Sequence, residues 1–125
     1  MGKNYTEIDS NTINLLSTGT TINGDITSNS DIRIDGILTG NLSTKGRLVI
    51  GESGKIKGEI ICKNADISGV VEGKILAAEL LSLKATSVIT GDIVIGKLAV
   101  EPGCLFNGTC KIDDSSNKTN DNKIG

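Results

Sequence analysis

An apolar-x-Gly-x-apolar phrase recurs around Gly24, Gly40, Gly58, Gly73, Gly91 and Gly108, at spacings of 16, 18, 15, 18 and 17 residues. Two residues ahead of the glycines stand Ile22, Leu38, Ile56, Val71, Ile89 and Phe106. Two residues behind them stand Ile26, Leu42, Ile60, Ile75, Ile93 and Cys110, so all twelve flanking positions are apolar. A unit of about 17 residues cannot fold alone. Its single apolar stripe is too small to offset roughly 1–2 kcal/mol of backbone entropy per residue. Such units must stack to bury a common core.

Between the glycines runs a second, weaker beat: Ile32 and Ile34, Leu48 and Ile50, Ile67, Leu81 and Leu83, Leu98 and Val100. Members two apart point to one side of an extended chain. Each unit therefore reads as two or three short strands, separated by turns such as "SNSD", "TKG" and "GESG". The segment "KILAAELLSLKA" (74–85) contains good helix formers, but Val71, Ile75, Leu81 and Leu83 keep the strand register, and it reads as strand. Stacked at about 4.8 Å along the hydrogen-bonding direction, such units predict an all-β fold. The expected architecture is a parallel β-solenoid of about six coils with aliphatic ladders up its middle. Aromatic residues make up only 2% of the chain. The core must therefore come from about 25 to 30 buried Ile, Leu and Val, worth about 1.5–3 kcal/mol each. The recurring glycine belongs where a side chain would crowd the interior or a corner, or where the backbone takes angles other residues avoid.

The outward positions fit the same register. Directly after the glycines come Asp25, Asn41, Glu59, Lys74, Asp92 and Thr109, which makes Glu59, Lys74 and Asp92 stacked neighbours of alternating sign. Directly before them, Lys57 falls beside Glu72. Surface pairs of this kind are worth only about 0–1 kcal/mol each. They mark solubility and register, not a site.

Several function classes lose support. A net charge of −2 with one Phe, one Tyr and no Trp gives nucleic acid neither a basic surface nor a stacking platform. No Walker-type glycine loop nominates a nucleotide site, and no cofactor is expected. Cys62, Cys104 and Cys110 form no CxxC pair and the chain has no histidine, so they read as buried small hydrophobes and not as zinc ligands. An odd cysteine count without an export signal suits a reducing cytoplasm. Asp31 and Asp35 flank Ile32–Ile34 and share a face with Arg33, which reads as a solvated strand face and not as a catalytic carboxylate pair. Hexapeptide-repeat acyltransferases are also solenoids, but a six-residue step from Ile22 lands on Ser28, Ile34, Gly40, Gly46 and Glu52, and the pattern fails. A secreted adhesin or calcium-binding repeat protein is the other alternative; the nine-residue Gly- and Asp-rich repeat it needs is missing. The chain does not read as an enzyme.

The chain divides into a polar, flexible N-terminal tail (1–17), a β-helix polymerisation domain (18–113) and a polar, disordered C-terminal tail (114–125), with "INLL" at 13–16 able to add a partial strand over the first coil. Solenoids have two terminal coils whose backbone edges need cover, and this sequence offers little. The candidate self-assembly residues are therefore Phe106, Leu105, Cys110 and Ile112 in the last coil and Ile22 and Ile26 in the first. Identical ends that meet give closed contacts, and an open filament follows when both ends do so.

The six rungs from "TTINGDI" through "LFNGTCKI", set between polar tails, resemble the bactofilins, bacterial cytoskeletal proteins. The resemblance covers roughly residues 18–113. It implies a right-handed β-helix that polymerises end to end without nucleotide into non-polar filaments. It also implies a cytoplasmic scaffold for cell-shape, cell-wall or polar-localisation machinery, often at the inner face of the cell membrane. Membrane-bound members carry an apolar and basic N-terminal stretch. Here Lys3 is offset by Glu7 and Asp9, a departure that argues against direct membrane attachment. The start "MGKNYT" also matches a myristoylation pattern, which needs a eukaryotic transferase.

Overall fold

Short strands with period-two burial can enclose a core only by winding around it. The computed structural model of the chain, which describes residues 14–113, shows that winding. No helix occurs among the described residues, and every strand pair is parallel. Each coil contributes one strand segment to each of three faces. The first face stacks β1 (Asn14–Leu16), β4 (Ile32–Ile34), β7 (Arg47–Ile50) and the closing residues of β8 (Lys55–Ile67), β9 (Val70–Leu83) and β10 (Val88–Val100). The second stacks β2 (Thr21–Asn23), β5 (Ile37–Thr39) and the opening residues of β8, β9, β10 and β11 (Leu105–Ile112). The third stacks β3 (Ile26–Ser28), β6 (Leu42–Thr44) and the following segments of the same long strands. Six coils result, and β1 is the partial strand anticipated at 13–16. The terminal segments 1–13 and 114–125, on which most of the tail expectations fall, lie outside the described residues.

The apolar columns are those that the glycine beat marks. Ile22, Leu38, Ile56, Val71, Ile89 and Phe106 stand one above another, as do Ile26, Leu42, Ile60, Ile75, Ile93 and Cys110. The glycines between these columns form the corner where the second face turns into the third. At Gly73 the backbone takes φ 137°, and a Cβ there would run into the carbonyl oxygen of Gly58 in the preceding coil. Gly58 meets Gly40 in the same way. Side chains are excluded because one backbone corner rests directly on another.

The unequal glycine spacings have a structural source. Every pass around the glycine corner places three residues between inward side chains, from Ile22 to Ile26 or from Ile89 to Ile93. The corner from first to second face varies instead. Four residues bridge it at 17–20, 51–54, 84–87 and 101–104, but two suffice at 35–36 and 68–69. The corner from third to first face loses a residue where the register shifts, between Cys62 and Asn64 and between Ile95 and Lys97. Two corners absorb all the variation, and the glycine corner absorbs none.

Burial is narrower than the sequence implies. Twenty hydrophobic residues are buried among those described, and seventeen of them are Ile, Leu or Val, below the expected 25 to 30. The shortfall is aliphatics in outward columns, such as Val49, Leu76 and Val94, which are half-buried, and Ile61, which is exposed. The last coil also leaves its inward side chains uncovered. The charge register holds on the outside. Glu59, Lys74 and Asp92 stack on adjacent coils, and Lys57 approaches Glu72 to 3.9 Å. Arg33 turns onto Asp35 at 2.8 Å as a solvated face pair.

The three cysteines are free, but only Cys62 is buried; Cys104 is half-buried and Cys110, in the last described coil, is exposed. Burial pushes the Cys62 thiol up to about 12 from an ordinary 9.0. The raised folded-state value means that the thiol stays neutral in the fold while the unfolded chain ionises from about pH 9 upward. Stability from this group is thus complete below pH 9 and is lost as pH rises toward 12. The urea midpoint is expected to fall by an equivalent of about 1 kcal/mol between pH 8 and 10. That component should vanish in Cys62→Val; an identical pH slope in the variant refutes the assignment.

Candidate self-assembly surfaces

A strand inside the solenoid has a hydrogen-bonding neighbour on both sides, and a terminal strand has one. Among the described residues, β1, β2 and β3 pair only with the second coil. β11 and residues 97–100 of β10 pair only with the fifth. Among the described residues both ends therefore carry backbone N–H and C=O groups along a parallel edge without a strand partner, and such an edge is a template for further strand pairing.

The two ends differ in the side chains that accompany those edges. At the C-terminal end the inward columns finish in Leu98, Val100, Phe106, Cys110 and Ile112. Leu98, Val100, Phe106 and Ile112 are 36%, 52%, 38% and 56% exposed. One coil earlier, Ile89 in the Phe106 column is only 1% exposed. The last described coil is thus an apolar plate, with side chains of the core columns exposed on it. At the N-terminal end the corresponding inward positions are Asn14, Leu16, Ile22, Ile26 and Ser28. Leu16 is buried, and Ile22 and Ile26 pack half-buried against the core. Asn14, Ser28 and Ser30 make one corner of this end polar.

The six residues nominated from sequence all fall in the two terminal coils. Phe106 and Ile22 cap opposite ends of one column, and Cys110 and Ile26 cap opposite ends of another. Ile112 closes the column that begins at Ser28. Leu105 is different. It continues the outward column of Val70 and Val88 and stands on the side wall, beside the plate and not in it. Leu98 and Val100 were not nominated, although both belong to the plate. Both stand in the second beat, but that beat alone does not show which coil they share. In fact the last coil begins with the first-face segment at Lys97.

The last described coil presents a flat apolar surface beside an unpaired backbone edge, and the described residues contain no convergent set of reactive groups. Among the described residues no cluster of three His, Cys, Asp or Glu side chains is placed to hold a metal ion.

Comparison with known proteins gives a consistent result. The sequence model of a family described as "Bactofilin: Polymer-forming cytoskeletal" matches residues 14–111. Curated relatives include Bactofilin BacO of Myxococcus xanthus (strain DK1622), 32% identical over 92 residues that cover 74% of this chain and 73% of BacO. Bactofilin BacP of the same organism is 32% identical over 93 residues, 74% of this chain but 39% of BacP. No solved structure matches the chain.

Proposed function

Since this chain belongs to the bactofilin family of polymer-forming cytoskeletal proteins, we propose that its six-coil solenoid assembles end to end into filaments without bound nucleotide. The observation that carries this reading is the apolar plate on the last coil, with its unpaired strand edge. Covering that plate removes Leu98, Val100, Phe106 and Ile112 from water, and apolar burial contributes about 25 cal/mol per Å². Pairing the strand edges adds backbone hydrogen bonds in the geometry already used between coils. Burial and edge pairing together drive association, so no hydrolysis step is needed. Each plate meets a like plate and each N-terminal coil meets a like coil, which makes the filament non-polar.

The role is structural and not catalytic. The filament serves as a cytoplasmic scaffold on which cell-shape, cell-wall or polar-localisation proteins collect, at the inner face of the membrane where such a partner supplies the attachment. Negative-stain microscopy and sedimentation velocity of the purified chain, without nucleotide or metal, should show fibres or ribbons. A single monomer boundary over a hundredfold concentration range would sink the proposal.

A further inference from the structure

The glycine corner is entered through Thr39, Lys57, Glu72 and Thr90 in the inner coils, but through Asn23 in the first described coil and Asn107 in the last. Asn23–Gly24 and Asn107–Gly108 are the two Asn–Gly pairs of the chain. Such a pair carries a reaction of its own. The glycine nitrogen attacks the carbonyl carbon of the asparagine side chain, and the missing Cβ leaves that approach unhindered. All four residues are exposed, so access to water does not separate the two sites.

Their backbone hydrogen bonds do. At this corner the glycine N–H points to the following coil: Gly24 donates to the Thr39 carbonyl and Gly40 to the Lys57 carbonyl, at 2.9 Å each. Residues along a parallel strand bond alternately to one neighbour and the other, so the same register aims the Gly108 N–H away from β10. Among the described residues no strand lies on that side of β11. Before its nitrogen turns onto Asn23, Gly24 must leave Thr39, within two stacked coils. Gly108 needs only the fraying of an edge strand, and local opening at an edge costs far less than parting paired strands.

We infer that Asn107 is a site of spontaneous deamidation, and that the coil stacked on Asn23 protects the same dipeptide there. The Gly108 nitrogen bonds to Cγ of Asn107, and its proton leaves with the side-chain nitrogen as ammonia. Water then opens the cyclic imide. Cleavage at Cγ gives aspartate; cleavage at the main-chain carbonyl gives isoaspartate, whose backbone is one methylene longer. Either product places a negative charge next to Phe106 in the chain. Isoaspartate also carries Gly108 to Ile112 out of register with Gly91 to Ile95. The last described coil therefore ages while the first does not. The chemistry belongs to the single chain and goes beyond the assembly proposed above.

The test incubates the soluble full chain at neutral pH, with Phe106→Arg added where fibres form so that the last coil stays open. Both sites are followed by peptide mass spectrometry, and isoaspartate is confirmed with an isoaspartyl methyltransferase. If circular dichroism shows Phe106→Arg to be unfolded, the fraction of the parent chain left in solution after sedimentation takes its place. Asn107 should lose its amide at least about tenfold faster than Asn23 in the folded chain, as expected when only one of the two amides is held between paired strands. In urea the two rates should converge. Equal rates in the folded chain, or faster loss at Asn23, overturn the inference. So does an Asn107 that stays intact in the folded chain while the unfolded chain loses the amide. A difference that persists in urea belongs to the local sequence and not to the fold, and overturns it too.

Discussion

Gly73→Ala is expected to destabilise the fold by about 3–5 kcal/mol, while the same change at the equivalent Gly24 costs only about 1–2 kcal/mol. Both residues turn the same corner with positive φ, 137° and 144°, so both variants bear the conformational cost of a left-handed alanine. They differ in what a methyl group would meet. At Gly73 it strikes the Gly58 carbonyl oxygen, with the Gly58 carbonyl carbon at 2.9 Å and its nitrogen at 3.1 Å; at Gly24, in the first described coil, nothing lies within 4 Å. Relief at Gly73 would require two coils to separate at a spacing of about 4.8 Å, which breaks their ladder. A loss of this size is a large share of the 5–15 kcal/mol that holds a typical domain together. Urea unfolding of both variants checks the contrast. Equal midpoints would mean that the corner tolerates a side chain and that the glycines are kept for φ alone.

Phe106→Arg should abolish long fibres and leave species no larger than dimers, with the β-sheet circular dichroism unchanged. Phe106 sits in the plate at 38% exposure, on the Ile89 column. An arginine there can lay its methylene stem on the Ile89 column and extend its charge into solvent, at a modest cost to the isolated chain. On association it must be desolvated against Leu98, Val100 and Ile112 of the plate, and two-fold pairing brings a second arginine close. An unpaired charge at a buried contact costs about 3–5 kcal/mol, a weakening of at least a hundredfold. Leu105→Arg is the matched control. It lies one residue away on the side wall, and fibres should persist. If Leu105→Arg is as disruptive as Phe106→Arg, the plate is not the contact and the outer wall is. If fibres are normal in both, neither strand position takes part.

The coil register was legible in the sequence because the glycine corner has constant length. Ile-x-Gly-x-Ile places two inward side chains and the turn between them in five residues, and the pattern survives any change elsewhere. The faces were harder to count. Their other two corners vary in length, as at 35–36 against 51–54, so the second beat drifts against the first and its members look weaker than they are. Because of that drift the sequence does not show that Leu98 and Val100 share a coil with Phe106. The direction of Leu105 was open to reading: it precedes Phe106 by one residue, and neighbours in a strand face opposite sides. Cys110 was misjudged as buried for a different reason. Its column is buried at Ile93, and sequence periodicity does not register that a column has come to its end. Asn14 could be found only in three dimensions, because "INLL" reads as one more aliphatic rung until its amide is seen against Asp31.

The slack in two corners sets how such a chain can change over generations. A duplication that begins and finishes at equivalent glycines adds one layer, lengthens the rod by about 4.8 Å and leaves every other layer with the neighbours it had. Insertions can collect at the bridge spanned by 51–54 without disturbing the hydrogen-bonded walls. Subunit length and surface decoration are therefore free to diverge among relatives, while the six stacked glycines hold the cross-section to one size.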